Sequence, residues 1–157
     1  MKTTLLQWIV CPSCRSDLRL ENERFEQEEV AEGTLACTAP PCSMRYPIID
    51  FIPRLLIGVR TREDLYRNYA ASFGYQWNRF QWERPEDRDE YFRITDLTPD
   101  DLRGKVMVDA GCGGGRFMKH LGEYPSVLIG FDYSVAIDKA RAVAGRWPST
   151  HFRCGPR

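Results

Sequence analysis

Four cysteines stand in two close pairs near the start of the chain, Cys11-Pro12-Ser13-Cys14 and Cys37-Thr38-Ala39-Pro40-Pro41-Cys42. Thiolates delivered in pairs from two separate turns can close a tetrahedral zinc site with no open position. Disulfides and unrelated free thiols are the other readings of the same residues. Two residues separate the first pair and four the second, where two are usual, so Cys42 has the longest reach to make. A second group of residues could hold an organic ligand. Asp109 precedes Gly111, Gly113 and Gly115 in the run Val106 to Phe117, and Asp132 closes the apolar run that starts at Val127. Glycines at that spacing let the backbone turn sharply and come close to a ligand that a Cβ would push away. An acid at the tip of a second strand, about 20 residues past the turn, can hold both hydroxyls of an adenosine ribose. The dinucleotide fingerprint G-x-G-x-x-G fails, because from Gly111 its third glycine falls on Arg116. The plain alternative is any α/β protein with a glycine-rich turn between strand and helix.

The elements that must position these groups are legible in outline. A short apolar strand near Lys105–Asp109 runs into the glycine turn and then a helix, GGRFMKHLGEY, whose first amides would face the ligand. A second strand spans Val127–Asp132. Ser134 is placed to cap a helix over VAIDKARAVA, with Gly145 at its end. A third strand starts near His151–Cys154. Between the cysteine pairs lies an acidic hairpin with Gly33 near its turn.

The pattern D-x-G-x-G-x-G resembles the first motif of class I S-adenosylmethionine (SAM) methyltransferases, and GFDYS resembles their second. The resemblance implies a SAM site formed by Asp109, Gly111, Cys112, Gly113, Gly115, Arg116, Asp132 and Tyr133. The run Met44 to Leu56, with Tyr46, Pro47, Ile48, Ile52 and Pro53, resembles the end of small bacterial zinc-ribbon proteins and of the zinc-ribbon activator subunit of tRNA methyltransferases. The opening LLQWIVCPSC matches the same group. SFGYQWNRF at 72–80, followed by TPDDLRG, is similar to bacterial methyltransferases that carry an N-terminal zinc ribbon, and with it the resemblance spans nearly the whole chain. It implies a zinc ribbon over 1–57 held by Cys11, Cys14, Cys37 and Cys42, a helical, aromatic-rich connector over 58–100, and a partial Rossmann-like SAM domain over 101–157. The implied fold class is α/β with a small β-rich zinc ribbon. The implied function is SAM-dependent transfer of a methyl group to an acceptor of unknown class. The alternative is a zinc-ribbon binding or activator module without activity of its own.

Composition narrows the partners. The 157 residues hold 22 Lys and Arg against 22 Asp and Glu, which leaves no electrostatic footprint for nucleic acid. Residues 1–57 hold six basic and eight acidic residues, the wrong sign for a phosphate-binding module. No apolar run approaches membrane-spanning length. MKTTLLQWIVC is too short for a lipoprotein signal and Val10 is not the small residue such cleavage prefers, so a cytoplasmic location is expected.

Further expectations concern single residues and the sheet. The resemblance implies seven strands in the order 3-2-1-4-5-7-6, of which this chain offers the first three. Gly155-Pro156-Arg157 stands where an adenine-contacting acid would be. An amino-terminal fragment is expected, with a deliberately short protein as the alternative, and the strand near Lys105–Asp109 should be an exposed edge. Cys112 is expected to pack rather than react. His120 and His151 are read as surface residues, and Cys154 as a strand residue. Arg116 either reaches a ligand carboxylate or is solvated. Residues 83–90 read as a solvated helix start or loop. Tyr75, Trp77 and Phe80 either line a lid or pack the connector. No catalytic residue can be named.

Overall fold

The computed structural model describes residues 1–61, 63–64, 84–145, 147 and 149–155. Tyr75, Trp77 and Phe80, with residues 62 and 65–83 of the expected connector, lie outside these residues.

The N-terminal part is an antiparallel sheet. Strands β1 (Leu18–Glu26), β2 (Glu29–Cys37), β3 (Arg45–Ile49) and β4 (Ile52–Pro53) pair in sequence order. β2 is the central strand and carries the buried side chains Val30, Leu35 and Cys37, while β1 exposes most of its charged run. These pack with Leu5, Ile9, Leu18, Tyr46, Ile48 and Leu55 into one core. The β1–β2 turn is made by Gln27 and Glu28, both at positive φ (47° and 65°), not by Gly33. Gly33 sits inside β2 opposite Ile48. There the β1–β2 register slips between Glu21 and Arg24. A Cβ on Gly33 would lie 3.3 Å from the Glu23 Cα, so the glycine answers a β-bulge, a common reason for glycine within a strand.

The second part is a parallel sheet in the order β5 (Val106–Ala110), β6 (Val127–Asp132), β7 (Thr150–Cys154). All three expected strands are present, one residue from their expected bounds at β5 and β7. Helices α1 (Asp87–Thr95), α2 (Pro99–Leu102), α3 (Met118–Leu121) and α4 (Ala136–Ala144) accompany it. Thr98 and Asp101 form a reciprocal capping box that starts α2. The glycine turn continues as turns up to Phe117, so α3 is shorter than the sequence suggests. Before α4, the Ser134 hydroxyl accepts the Ala136 amide at 3.2 Å. Gly145 at its end keeps a right-handed φ of −65°. Met118, Leu121, Leu128, Ile137, Ala140 and Phe152 lie in the core beneath the helices. Gly130 lets α3 come close, because a Cβ there would lie 2.4 Å from the Met118 sulfur. No helix of the described residues is long and apolar enough to cross a membrane.

The two sheets interlock around residue 55. Ile52, Leu56 and Val59 belong to the core under the parallel sheet, while Ile129 of β6 belongs to the core of the antiparallel one. Arg54 forms a parallel bridge to Cys154, and the Leu55 amide donates to the Cys154 carbonyl at 2.6 Å. The chain leaving the first sheet therefore covers the outer edge of β7. Among the described residues no strand pairs with the outer edge of β5, where Val106 and Val108 are 46% and 57% exposed.

His151 is buried, not a surface residue, because β7 lies under the N-terminal segment. Burial, and then the neighbouring Lys2 ammonium, push its imidazolium down to about 4. The unfolded chain takes up a proton at His151 near pH 6.5, which the folded chain refuses until about pH 4. Stability should therefore fall by about 1.4 kcal/mol per pH unit as pH drops through that window and level off below it. Urea midpoints of wild type and His151→Gln between pH 7 and pH 4 check this, since the variant should lose that slope.

Candidate metal centre and cofactor site

The two cysteine pairs converge. The Sγ atoms of Cys11, Cys14, Cys37 and Cys42 all lie within 4.8 Å of one another. Cys11 and Cys42 are 3.7 Å apart, and Cys14 and Cys37 are 3.4 Å apart. A tetrahedral zinc with sulfur at about 2.3 Å places its ligands about 3.8 Å from each other, so the cluster fits that ion. The loops explain how two different spacings reach one point. In the first, the Cys11 amide donates to the carbonyl of Ser16, two residues past Cys14. In the second, the Cys37 amide donates to the carbonyl of Met44, two residues past Cys42. Each loop then turns on a residue at positive φ directly after its second cysteine, Arg15 at 64° and Ser43 at 46°. The two extra residues of the second loop leave the closing hydrogen bond unchanged.

The four thiols sit in unlike surroundings. Hydrogen bonds from Ser16 hold the Cys14 thiol down at about 6. Burial holds Cys37 up at about 12. Cys11 is fully buried and sits 3.3 Å from the Tyr46 hydroxyl. Four thiolates this close would need a counter-charge, which a divalent soft metal would supply.

The second site gathers at the carboxyl ends of β5 and β6. One Asp132 carboxylate oxygen accepts the Gly113 amide at 2.8 Å, and the other accepts the Ser134 amide and hydroxyl at 2.8 and 2.7 Å. The Gly111 and Cys112 amides both donate to the Phe131 carbonyl. The glycine turn is thus tied to the tip of β6 by its own amides. Gly111 has φ of +85° and a Cβ there would meet nothing within 4 Å among the described residues, so the turn presents open space to them beside Asp132. Gly115, at φ +78°, serves packing: a Cβ would lie 2.8 Å from the Ala140 Cα of α4. Burial, and then the Asp132 carboxylate, push the Asp109 carboxyl up. Two acids therefore share this end of the sheet, an arrangement that favours a cationic ligand.

Other expected residues take different places. Arg116 is half-buried and paired: Asp87 holds it through Nε at 2.8 Å and Glu90 through Nη2 at 2.5 Å. Asp87 is fully buried, so this part of the charged segment is a clamp, not a solvated face. Cys112 is buried between the turn and β6, and burial pushes its thiol up. Tyr133 is 54% exposed beside Asp132. His120 is half-buried in α3. The sequence reading missed Asp87 and Glu90; acids at i and i+3 in a helix starting at Asp87 were the available signal.

No protein-family model matches the chain, and no curated protein matches it. Solved structures are partly similar, among them the following three. Phosphoethanolamine N-methyltransferase 1 of Haemonchus contortus, in complex with phosphoethanolamine and S-adenosylhomocysteine, is 20% identical over 62% of this chain and 22% of its own, with a TM-score of 0.41. DhpI in complex with SAH is 18% identical over 60% and 47%, with a TM-score of 0.43. YjhP of E. coli is 18% identical over 53% and 35%, with a TM-score of 0.37. The chain spans less than half the length of each of these proteins. Likenesses this partial place no activity on the chain.

Proposed function

We propose that this chain carries the methyl-donor half of a SAM-dependent methyltransferase, joined to a zinc ribbon that holds its ion through Cys11, Cys14, Cys37 and Cys42. The observation that carries the reading is the pair Asp109 and Asp132 at the tips of adjacent parallel strands, beside the open side of Gly111. SAM is cationic at its sulfonium and its amine, and it supplies a methyl group already activated for displacement. Asp132 would exchange its bonds to Gly113 and Ser134 for the ribose hydroxyls. Gly111 leaves room for the cofactor at the turn, and Asp109 adds negative charge beside it. Arg116 acts through Asp87 and Glu90, fixing α1 against the glycine turn rather than meeting the ligand. A zinc ion held by Cys11, Cys14, Cys37 and Cys42 would order the N-terminal loops. The acceptor remains a small molecule, lipid, protein or RNA of unknown class.

The exposed edge of β5 favours a second reading, a zinc-ribbon module that docks on a methyltransferase. A calorimetric titration with SAM, beside zinc quantification, separates the two. Saturable SAM binding that weakens by about 1.5–3 kcal/mol in Asp132→Ala, the scale of charge-assisted hydrogen bonds, supports the methyl-donor reading. One zinc per chain with no SAM binding supports the module. SAM binding unchanged in Asp132→Ala removes Asp132 from the site.

A further inference from the structure

We propose that the outer edge of β5 pairs with β5 of a second copy of this chain, antiparallel and centred on Met107, so that two three-stranded sheets join into one. At both ends of β5 the ladder to β6 is made by odd-numbered residues. The Ser126 and Val127 amides donate to the Lys105 carbonyl, and the Gly111 amide donates to the Phe131 carbonyl. Bonding alternates along a parallel strand, so the amides and carbonyls of Val106 and Val108 point to the outer edge. Among the described residues no strand pairs with them. Such a row of backbone groups is a template for one more strand.

β5 is complementary to itself in three ways. Centring on Met107 sets Val106 opposite Val108 of the second copy, and Val108 opposite its Val106. Both are outward-bonding positions, so each pair can exchange two N–H···O bonds. The same register sets Lys105 opposite Asp109 of the second copy, and the two-fold axis repeats that pair. Lys105 is exposed and Asp109 half-buried. Within one chain Lys105 acts on Asp101 across space and Asp109 on Asp132, without an ion pair among the described residues. A register centred on Val108 would set Met107 against Asp109 and lose the charge pairs. The third match is apolar. Val106 and Val108 are 46% and 57% exposed, and Val108 borders the cleft that Trp8 and Val10 also line. Val106 of the second copy would lie beside Val108 there and cover apolar surface on both copies. A strand of another protein could accept the same backbone bonds, but β5 already supplies the matching charges and valines. The pairing rests on neither zinc nor SAM.

Sedimentation equilibrium of the zinc-loaded chain should approach twice its mass of 18.2 kDa. A dissociation constant on the order of 10–100 μM suits so small an interface. Val108→Pro removes an outward amide and no bond to β6, so the chain should stay folded and become monomeric. Lys105→Glu, at an exposed position, sets like charges opposite each other twice and should weaken the dimer about tenfold with circular dichroism unchanged. A zero-length carbodiimide crosslink between Lys105 and Asp109, in a mixture of isotopically heavy and light chains, reads the register. Along one strand these residues stand about 13 Å apart, beyond the reach of such a link, so the product should join heavy to light chains. A chain that stays monomeric at about 1 mM would overturn the proposal and leave the edge to a different protein. So would a dimer untouched by Lys105→Glu or by a folded Val108→Pro, or crosslinks that place its contact away from β5.

Discussion

Cys11→Ser is expected to abolish zinc binding and to unfold β1 to β4, and a strong chelator should do the same to the wild-type chain. Cys11 is wholly buried and belongs to the core that holds Leu5, Ile9, Tyr46 and Ile48. Serine cannot replace a soft thiolate at zinc, and the three remaining sulfurs would lack the fourth ligand that closes the site. A structural zinc contributes about 10 kcal/mol or more of folding free energy in small modules, larger than any other single change considered for this chain. The N-terminal sheet has only one modest core to set against that loss. Metal quantification should give one zinc per wild-type chain and none in the variant. Hydrogen exchange across Leu18–Ile49 should become fast. Cys154→Ser, in a buried strand thiol remote from the cluster, should retain the metal. A Cys11→Ser chain that keeps stoichiometric zinc and slow exchange would show that the four sulfurs do not act as one site.

The antiparallel sheet, the three parallel strands and the convergence of the cysteines were legible because each rests on local signals. Continuous apolar runs marked the parallel strands, and paired cysteines marked the loops. The four-residue spacing hid how Cys42 reaches the cluster, since the loop keeps its closing hydrogen bond from Cys37 to Met44 while its tip grows. Gly33 misled because glycine suits both a turn and a bulge, and only the cross-strand register distinguishes them. The burial of His151, the clamp of Asp87 and Glu90 on Arg116, and the closing of the glycine turn on Phe131 depend on partners 19 to 29 residues away or on another element. Spacing within one segment carries no information on such contacts. Arg54 is the clearest case, since its partner lies 84 residues further along the chain.

Asp138→Ala is expected to destabilise the chain by about 3 kcal/mol, the low end for breaking such an ion pair, because Arg54 is fully buried while Asp138 is partly exposed. Arg54 is fully buried where the N-terminal sheet passes the edge of β7. Its guanidinium is ion-paired with Asp138 of α4 and donates to the Ile49 carbonyl at 3.4 Å. Removing the carboxylate strands a cation between Ile52 and Leu56 on one side and α4 on the other. Arg54→Met removes the charge together with its need for a partner, so it should cost much less, and Arg54→Met combined with Asp138→Ala should recover most of the loss. Urea denaturation of the four proteins measures the cycle. Because Arg54 and Leu55 link both sheets, the Asp138→Ala chain should also lose protection in β3 and β7 together rather than in α4 alone. A cost below about 1 kcal/mol, or a double variant no more stable than Asp138→Ala, would mean that the pair is solvated and that the junction is held by its apolar contacts instead.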